Sequence, residues 1–325
     1  MKILITGING FIGRNLQTYF MQPGFELIGV EKSDNFLNSN IKQYAWEELY
    51  KISEADCIIH LAGLAHDTNN KKLEDEYYQV NTELTKTIFR FFLTSSARIF
   101  ICFSTVKAAA DFSETPLVET VIPEPTTIYG KSKFKAEEYI LNNLPNDARK
   151  VYILRPCMIH GPKPKENLVS LYNYIRKGLP YPFGKLSNNR SYLSIKNLNF
   201  ILEKLLENTE PETCNLKPET CNLKPITPSG IYHLADDEPL STNRIIELIG
   251  ETLHKKPLMI SLPAWSIKAL AQMGSMLHLP INTETIRKLT GNFLVSNEKI
   301  KKALKITSLP VSAEEGMRYT LKNII

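Results

Sequence analysis

The chain has 325 residues, 43% of them apolar and 22% charged, an ordinary globular composition that excludes a disordered or low-complexity protein. The formal net charge of +5 is modest and spread along the chain, and no basic stripe interleaved with aromatics appears, which argues against a nucleic-acid-binding protein. No run reaches the ~20 apolar residues of a membrane helix, segment 262–279 being broken by Lys268 and Gln272. The opening MKILITG reads as a strand entering a glycine turn rather than as a signal peptide, so the expected location is cytoplasmic.

In chain order, short apolar runs at 3–6, 25–30, 57–61, 99–103 and 151–154 alternate with helical patterns at 11–21, 72–94, 127–142, 168–177 and 198–207. That alternation predicts an α/β fold, a doubly wound parallel sheet of the Rossmann type with helices on both faces. Beyond residue 161 the pattern loosens into Pro-rich turns and then helices at 242–253, 265–276, 298–304 and 313–322. A smaller, mainly helical lobe is expected there. The proposed division is a dinucleotide-binding domain over 1–161, with returning segments near 190–208 and 230–236, and a substrate lobe over 162–189 and 237–325. Within 211–225 the heptapeptide PETCNLK stands twice in tandem without apolar periodicity, which predicts a surface loop. Cys57, Cys102 and Cys157 lie in apolar runs and no pair has metal-ligand spacing; reduced core thiols are expected, and no metal site.

The first run leads into Gly7, Gly10 and Gly13 at three-residue spacing, followed by an amphipathic helix carrying Phe11 and Ile12. A strand, this glycine spacing and a helix make a pyrophosphate cradle: one glycine turns the chain, one admits the phosphates, and one lets helix and strand pack closely. Glu31 ends the second run, where an acidic side chain accepts from adenosine ribose hydroxyls and repels a 2′-phosphate. This favours NAD. The neighbouring Lys2 and Lys32 keep NADP open as the alternative.

Tyr129 and Lys133 stand four apart in a helical segment and share one face. A phenol with its usual pKa near ~10 becomes a base at neutral pH only where a charge such as the Lys133 ammonium stabilises the phenolate. Twenty-four residues earlier, Ser104 and Thr105 close an apolar run, so their hydroxyls are expected at the carboxyl edge of a parallel sheet, where ligands bind. Thr105 is the choice over Ser104.

The glycine motif, HLAG after the third apolar run, the hydroxyl strand end, YxxxK and RPxxxxGP together resemble the extended short-chain dehydrogenase/reductase family, in its branch of nucleotide-sugar epimerases and 4-ketoreductases. The resemblance implies catalytic roles for Thr105, Tyr129 and Lys133. It implies a cofactor set of Gly7, Gly10, Phe11, Ile12, Gly13, Glu31, Leu61, Ala62, Gly63 and Asn81, joined by Tyr129 and Lys133. Asn167 and Arg190 match residues that meet the substrate diphosphate, and Lys107 stands where it reaches the sugar or is a solvated charge. His160 occupies a slot often held by Tyr. Two departures stand out: residues 30–56 hold no counterpart of the Asp that usually holds adenine, and Val106 and Lys107 replace the Asp and Glu that sugar dehydratases carry. The implied activity is 4-epimerisation of a UDP-hexose through a 4-keto intermediate, with a 4-ketoreductase of a UDP-4-keto-6-deoxy sugar as the alternative. A non-catalytic dinucleotide sensor is a third reading. A nucleotide-sugar substrate and a homodimer built on helices near 84–92 and 134–141 complete what the resemblance implies.

Overall fold

The structure is a computed structural model, and it describes residues 1–32, 36, 40–65, 74–164, 167–182, 184, 188–207, 227–261 and 291–324. The tandem heptapeptides and the expected helix at 265–276 lie outside the described residues. Seven strands form one parallel sheet: β1 (Lys2–Thr6), β2 (Glu26–Glu31), β3 (Lys42–Ala45), β4 (Cys57–His60), β5 (Ile99–Phe103), β7 (Lys150–Pro156) and β10 (Gly230–Leu234). Their order is β10-β7-β5-β4-β1-β2-β3, and every neighbouring pair is parallel. The chain runs outward one way from β1 through β2 to β3 and the other way from β4. The switch point therefore lies between β1 and β4, the crevice where a doubly wound sheet receives its ligand.

Period-two alternation sends successive side chains to opposite faces. Ile3, Ile5, Ile99, Ile101, Tyr152 and Leu154 join the core packed by α1 (Phe11–Phe20) and α6 (Ile195–Glu207). Leu4, Ile58, Phe100, Val151 and Ile153 join the opposite core, with Ile88, Phe89 and Phe92 of α3 (Leu84–Thr94) and Ile140 of α4 (Ile128–Leu141). The apolar faces of α3 and α4 thus cover the sheet. Residues 74–94 run as α2 (Glu74–Tyr77), a π-helical turn (Tyr78–Glu83) and α3, so the long helix read from the sequence contains a wide turn.

A third core joins α5 (Asn167–Arg176), α7 (Thr242–Leu253) and α9 (Ala313–Lys322), with Ile175, Ile246, Ile249, Met317 and Leu321 at its centre. Two small parallel pairs lie beside the main sheet: β8 (Met158–His160) with β9 (Tyr192–Ser194), and β6 (Ser113–Leu117) with β11 (Phe293–Val295). Asp236, just past β10, accepts from Ser194 N and from Asn197 Nδ2, and Asn197 reaches Val311 O. His160 Nδ1 pairs with Thr320 Oγ1 at 2.8 Å and is 2% exposed, so it is a packed residue of this junction. Cys57, Cys102 and Cys157 are buried and free, and burial pushes each thiol up. Among the described residues no helix is long and apolar enough to cross a membrane, and no group of His, Cys, Asp and Glu is arranged to hold a metal.

Candidate active site

The turn after β1 requires its glycines. Gly7 has φ +70, a left-handed conformation that favours glycine, and its N–H reaches Val30 O across the sheet. A Cβ on Gly13 would stand 2.2 Å from Ile8 O, so only glycine lets α1 lie this close to the turn. No side chain caps Gly10 at the helix start, and no acidic residue stands in the first turn, where Phe11 and Ile12 lie half-buried. Backbone N–H groups and the positive end of the helix dipole therefore meet whatever occupies the crevice. Glu31, 7% exposed at the end of β2, accepts from Asn9 N at 3.1 Å and Lys32 N at 3.3 Å. Its carboxylate thus pins the glycine turn as well as ending the strand. These features fit the pyrophosphate and adenosine half of a dinucleotide.

On the other side of the crevice the chain leaves β4 through Leu61, Ala62 and Gly63. Leu61 N donates to Thr6 O and Ala62 N to Thr6 Oγ1, tying the β1 and β4 ends together. Behind them His60 is fully buried between Thr6 Oγ1 at 2.7 Å and Thr85 Oγ1 at 2.9 Å, and burial pushes its imidazole down to about 3. Asn81, in the π-helical turn, accepts from Leu64 N and donates to Leu64 O and Ser132 Oγ. π-Helical turns often mark functional positions, and this one presents Asn81 to the loop after β4. A Cβ on Gly63 would lie 2.7 Å from Lys133 Nζ and 2.9 Å from Asn81 Oδ1, so a hydrogen at this position keeps the lysine's channel open.

Thr105 follows β5 and begins a one-turn helix (Val106–Ala108), its Oγ1 accepting from Lys107 N at 3.3 Å. The Thr105 hydroxyl stands close enough to Tyr129 to favour its phenolate. Ser104 Oγ is buried and has no partner among the described residues. Of the adjacent pair, Thr105 is therefore the hydroxyl that meets the phenol.

Tyr129 sits in the first turn of α4, behind the N-cap Thr127, whose side chain accepts from Gly130 N. A Cβ on Gly130 would meet Lys107 O at 2.4 Å, so the helix start rests on the turn that carries Lys107. Burial pushes the Tyr129 phenol up to about 12, the neighbouring Thr105 hydroxyl pulls it down, and Tyr77, its ring 6.5 Å away, adds to the rise. Lys133 is 5% exposed and donates to Phe103 O at 3.0 Å; burial lowers its pKa, while Cys102 and Glu137 oppose that. The sequence reading has the ammonium lowering the phenol. In this structure desolvation is the largest influence on the phenol, and it raises its pKa.

Arg190 pairs through its backbone with Leu240, and its charge is felt at Cys157 and Tyr192, beside the β8 and β9 starts. Asn167 opens α5, with its side chain outside the described residues. The structure thus gathers Gly7, Gly10, Gly13, Glu31, Leu61, Ala62, Gly63, Asn81, Thr105, Tyr129 and Lys133 around the carboxyl ends of β1, β4 and β5. Sequence reasoning missed His60, Thr85, Ser132, Glu137 and Arg155. Signals for three of them stood in the sequence: His60 opens HLAG, Arg155 opens RPxxxxGP, and Glu137 stands four residues beyond Lys133.

Fold and crevice define a dinucleotide-binding α/β protein of the short-chain dehydrogenase/reductase type. A model of the NAD-dependent epimerase/dehydratase family matches residues 3–216, and the chain belongs to that family. It is 25% identical over 332 residues to the UDP-glucose 4-epimerase of Vibrio cholerae, covering 98% of this chain and 94% of the relative. It is 30% identical over 227 residues to the GDP-6-deoxy-D-talose 4-dehydrogenase of Aggregatibacter actinomycetemcomitans, covering 66% of this chain and 74% of that one. Among solved structures, the UDP-glucuronic acid 4-epimerase of Bacillus cereus in complex with NAD superposes with a TM-score of 0.73 at 18% identity, covering 100% of this chain and 98% of that chain.

Proposed function

We propose that this chain is an NAD-dependent nucleotide-sugar 4-epimerase acting on a UDP-hexose through a 4-keto intermediate. The observation that carries the proposal is the approach of Thr105 to Tyr129 beyond the carboxyl end of β5, with Lys133 one turn along the same helix and anchored on Phe103 O, and the glycine cradle across the crevice. When bound, the dinucleotide supplies a hydride acceptor and the positive charge of an oxidised nicotinamide. Such a charge beside a buried phenol lowers its pKa by favouring the phenolate, which offsets the burial seen here. Thr105 holds the oxygen at C4 of the sugar, and Tyr129 Oη takes that hydroxyl's proton as the C4 hydride leaves, then returns it when hydride comes back to the other face. Lys133, anchored on Phe103 O, would hold the nicotinamide ribose when the dinucleotide is bound. Lys107 and Arg190 are proposed contacts for the sugar and the diphosphate, Arg190 through the two-pronged geometry of its guanidinium, and Asn167 is a proposed partner of the diphosphate.

The second reading is a 4-ketoreductase, in which reduced NAD or NADP is consumed and Tyr129 donates the proton. The 30% identity to a 4-dehydrogenase favours it. A dinucleotide sensor has no need of Thr105, Tyr129 and Lys133 together. A cytoplasmic homodimer remains part of the proposal. The test is incubation of purified protein with NAD and a panel of nucleotide sugars and their 4-keto forms. Epimer formation without net change in nicotinamide absorbance supports the first reading, and stoichiometric loss of reduced nicotinamide supports the second. If neither product forms and Tyr129→Phe binds dinucleotide as the parent does, the sensor stands.

A further inference from the structure

A buried ion pair lies on the same face of α4 as Tyr129 and Lys133, outside every role assigned so far. Glu137 and Arg155 are each 1% exposed. Arg155 Nε donates to both carboxylate oxygens, at 3.0 and 3.2 Å, and Nη2 donates to Oε2 at 2.5 Å. Arg155 belongs to β7, where alternation places it with Val151 and Ile153 on the face that α4 covers.

The face of α4 turned to the protein carries Ser132, Lys133, Ala136, Glu137 and Ile140. Ala136 and Ile140 are the apolar residues among these, with the partly buried Tyr139 packed beside them against Phe89, and such non-directional packing sets a helix's rotation less sharply than directional bonds such as those of Ser132 to Asn81 and of Lys133 to Phe103 O. A planar guanidinium against a carboxylate is directional and sets it sharply. At the ~6 Å outer radius of a helix, a turn of about 10° moves a side-chain tip by roughly 1 Å. A displacement of that size at a catalytic group costs about a hundredfold in rate.

We propose that Glu137 and Arg155 are positioning residues that fix the rotation of α4 and so hold Tyr129 and Lys133 on the reacting atoms. The proposal rests on the catalytic reading of that pair of side chains. Glu137 has a second effect through charge, because its carboxylate supports the ammonium of Lys133 against burial; Cys102 and His60 are the other titratable groups facing that ammonium.

Replacing a buried ion pair with apolar residues of similar volume is often neutral or stabilising, which separates positioning from plain stability. The double variant Glu137→Leu/Arg155→Met is expected to melt within a few degrees of the parent and to bind NAD within about twofold, while kcat falls about 30- to 100-fold at unchanged KM. Loss of the carboxylate also moves the alkaline limb of its kcat profile to lower pH, as the Lys133 ammonium gives up its proton sooner. A double variant that recovers both stability and kcat overturns the proposal. Should the double variant not fold, Arg155→Lys keeps the charge but not the fork, and unchanged kcat there overturns it equally. Readouts independent of turnover are the NMR signals of the Tyr129 ring and the Lys133 ε-methylene in the folded variant. Displaced signals at an unchanged melting temperature support positioning, and unmoved signals refute it. If the parent itself turns over no nucleotide sugar, the catalytic reading fails, while these signals still decide whether the pair sets the helix.

Discussion

His60 makes stability depend on pH in a way the hydrogen-bond chain around it dictates. Thr85 Oγ1 donates its proton to Asn81 O, so it can only accept from His60, and Nε2 carries the imidazole proton. Thr6 Oγ1 accepts from Ala62 N, leaving its own proton for His60 Nδ1. Each donor then has one acceptor, and a second proton on the ring would face the Thr6 hydroxyl proton in a fully buried site. The folded pKa of about 3 lies below the usual 6.5, so the unfolded chain binds more protons between these values and stability falls as pH drops through that window. The loss at pH 5 relative to pH 7.5 is about 2 kcal/mol from this residue. Urea denaturation of the parent and of His60→Gln at about pH 7.5 and about pH 5 measures it. The parent should lose about 2 kcal/mol more than the variant between the two conditions. Equal losses, or an imidazole that titrates near 6.5 by NMR in the folded protein, would refute this account of His60.

Tyr129→Phe removes the proton carrier but little packing, so turnover should fall about 10²- to 10⁴-fold while dinucleotide affinity by fluorescence titration holds. Gly63→Ala places a methyl 2.7 Å from Lys133 Nζ and 2.9 Å from Asn81 Oδ1; both must shift, and turnover should drop at least about tenfold, measured beside a melting curve that changes by only a few degrees. Phe92 is fully buried against Phe89 and Phe100, with Arg149 stacked on its ring. Phe92→Ala should therefore cost about 3–5 kcal/mol in chemical denaturation.

Five of the seven strands of the main sheet were legible because each is a short run of buried β-formers between turn residues, and the glycine turn because its spacing has few other physical uses. Other elements left no such mark. Strand β3 has the sequence KQYA, with one buried residue at a sheet edge, and β6 has SETPL, mostly exposed and holding Pro116. β8 and β9 are three residues each, below the length at which alternation can be seen. The π-helical turn at Tyr78–Glu83 was read as ordinary helix, since inserting one residue per turn leaves the apolar spacing on either side intact. Thr105 was separable from Ser104 only by choice, until the fold set its hydroxyl beside the phenol and left Ser104 Oγ without a partner among the described residues.

By itself the sequence determined which residue types stand at which strand ends: glycines after the first, an acid after the second, hydroxyls after the fifth, and a Tyr and Lys one turn apart on a helix. Those are local facts, carried by period and spacing. Tertiary structure alone decided the protonation of the site, because the charge state of Tyr129, Lys133 and His60 depends on how much water the surrounding elements exclude. It also decided that Arg155, at a strand end 18 residues from Glu137, closes on the catalytic helix. Desolvation and contact across elements are properties of the assembled sheet and helices, and no window of the chain contains them.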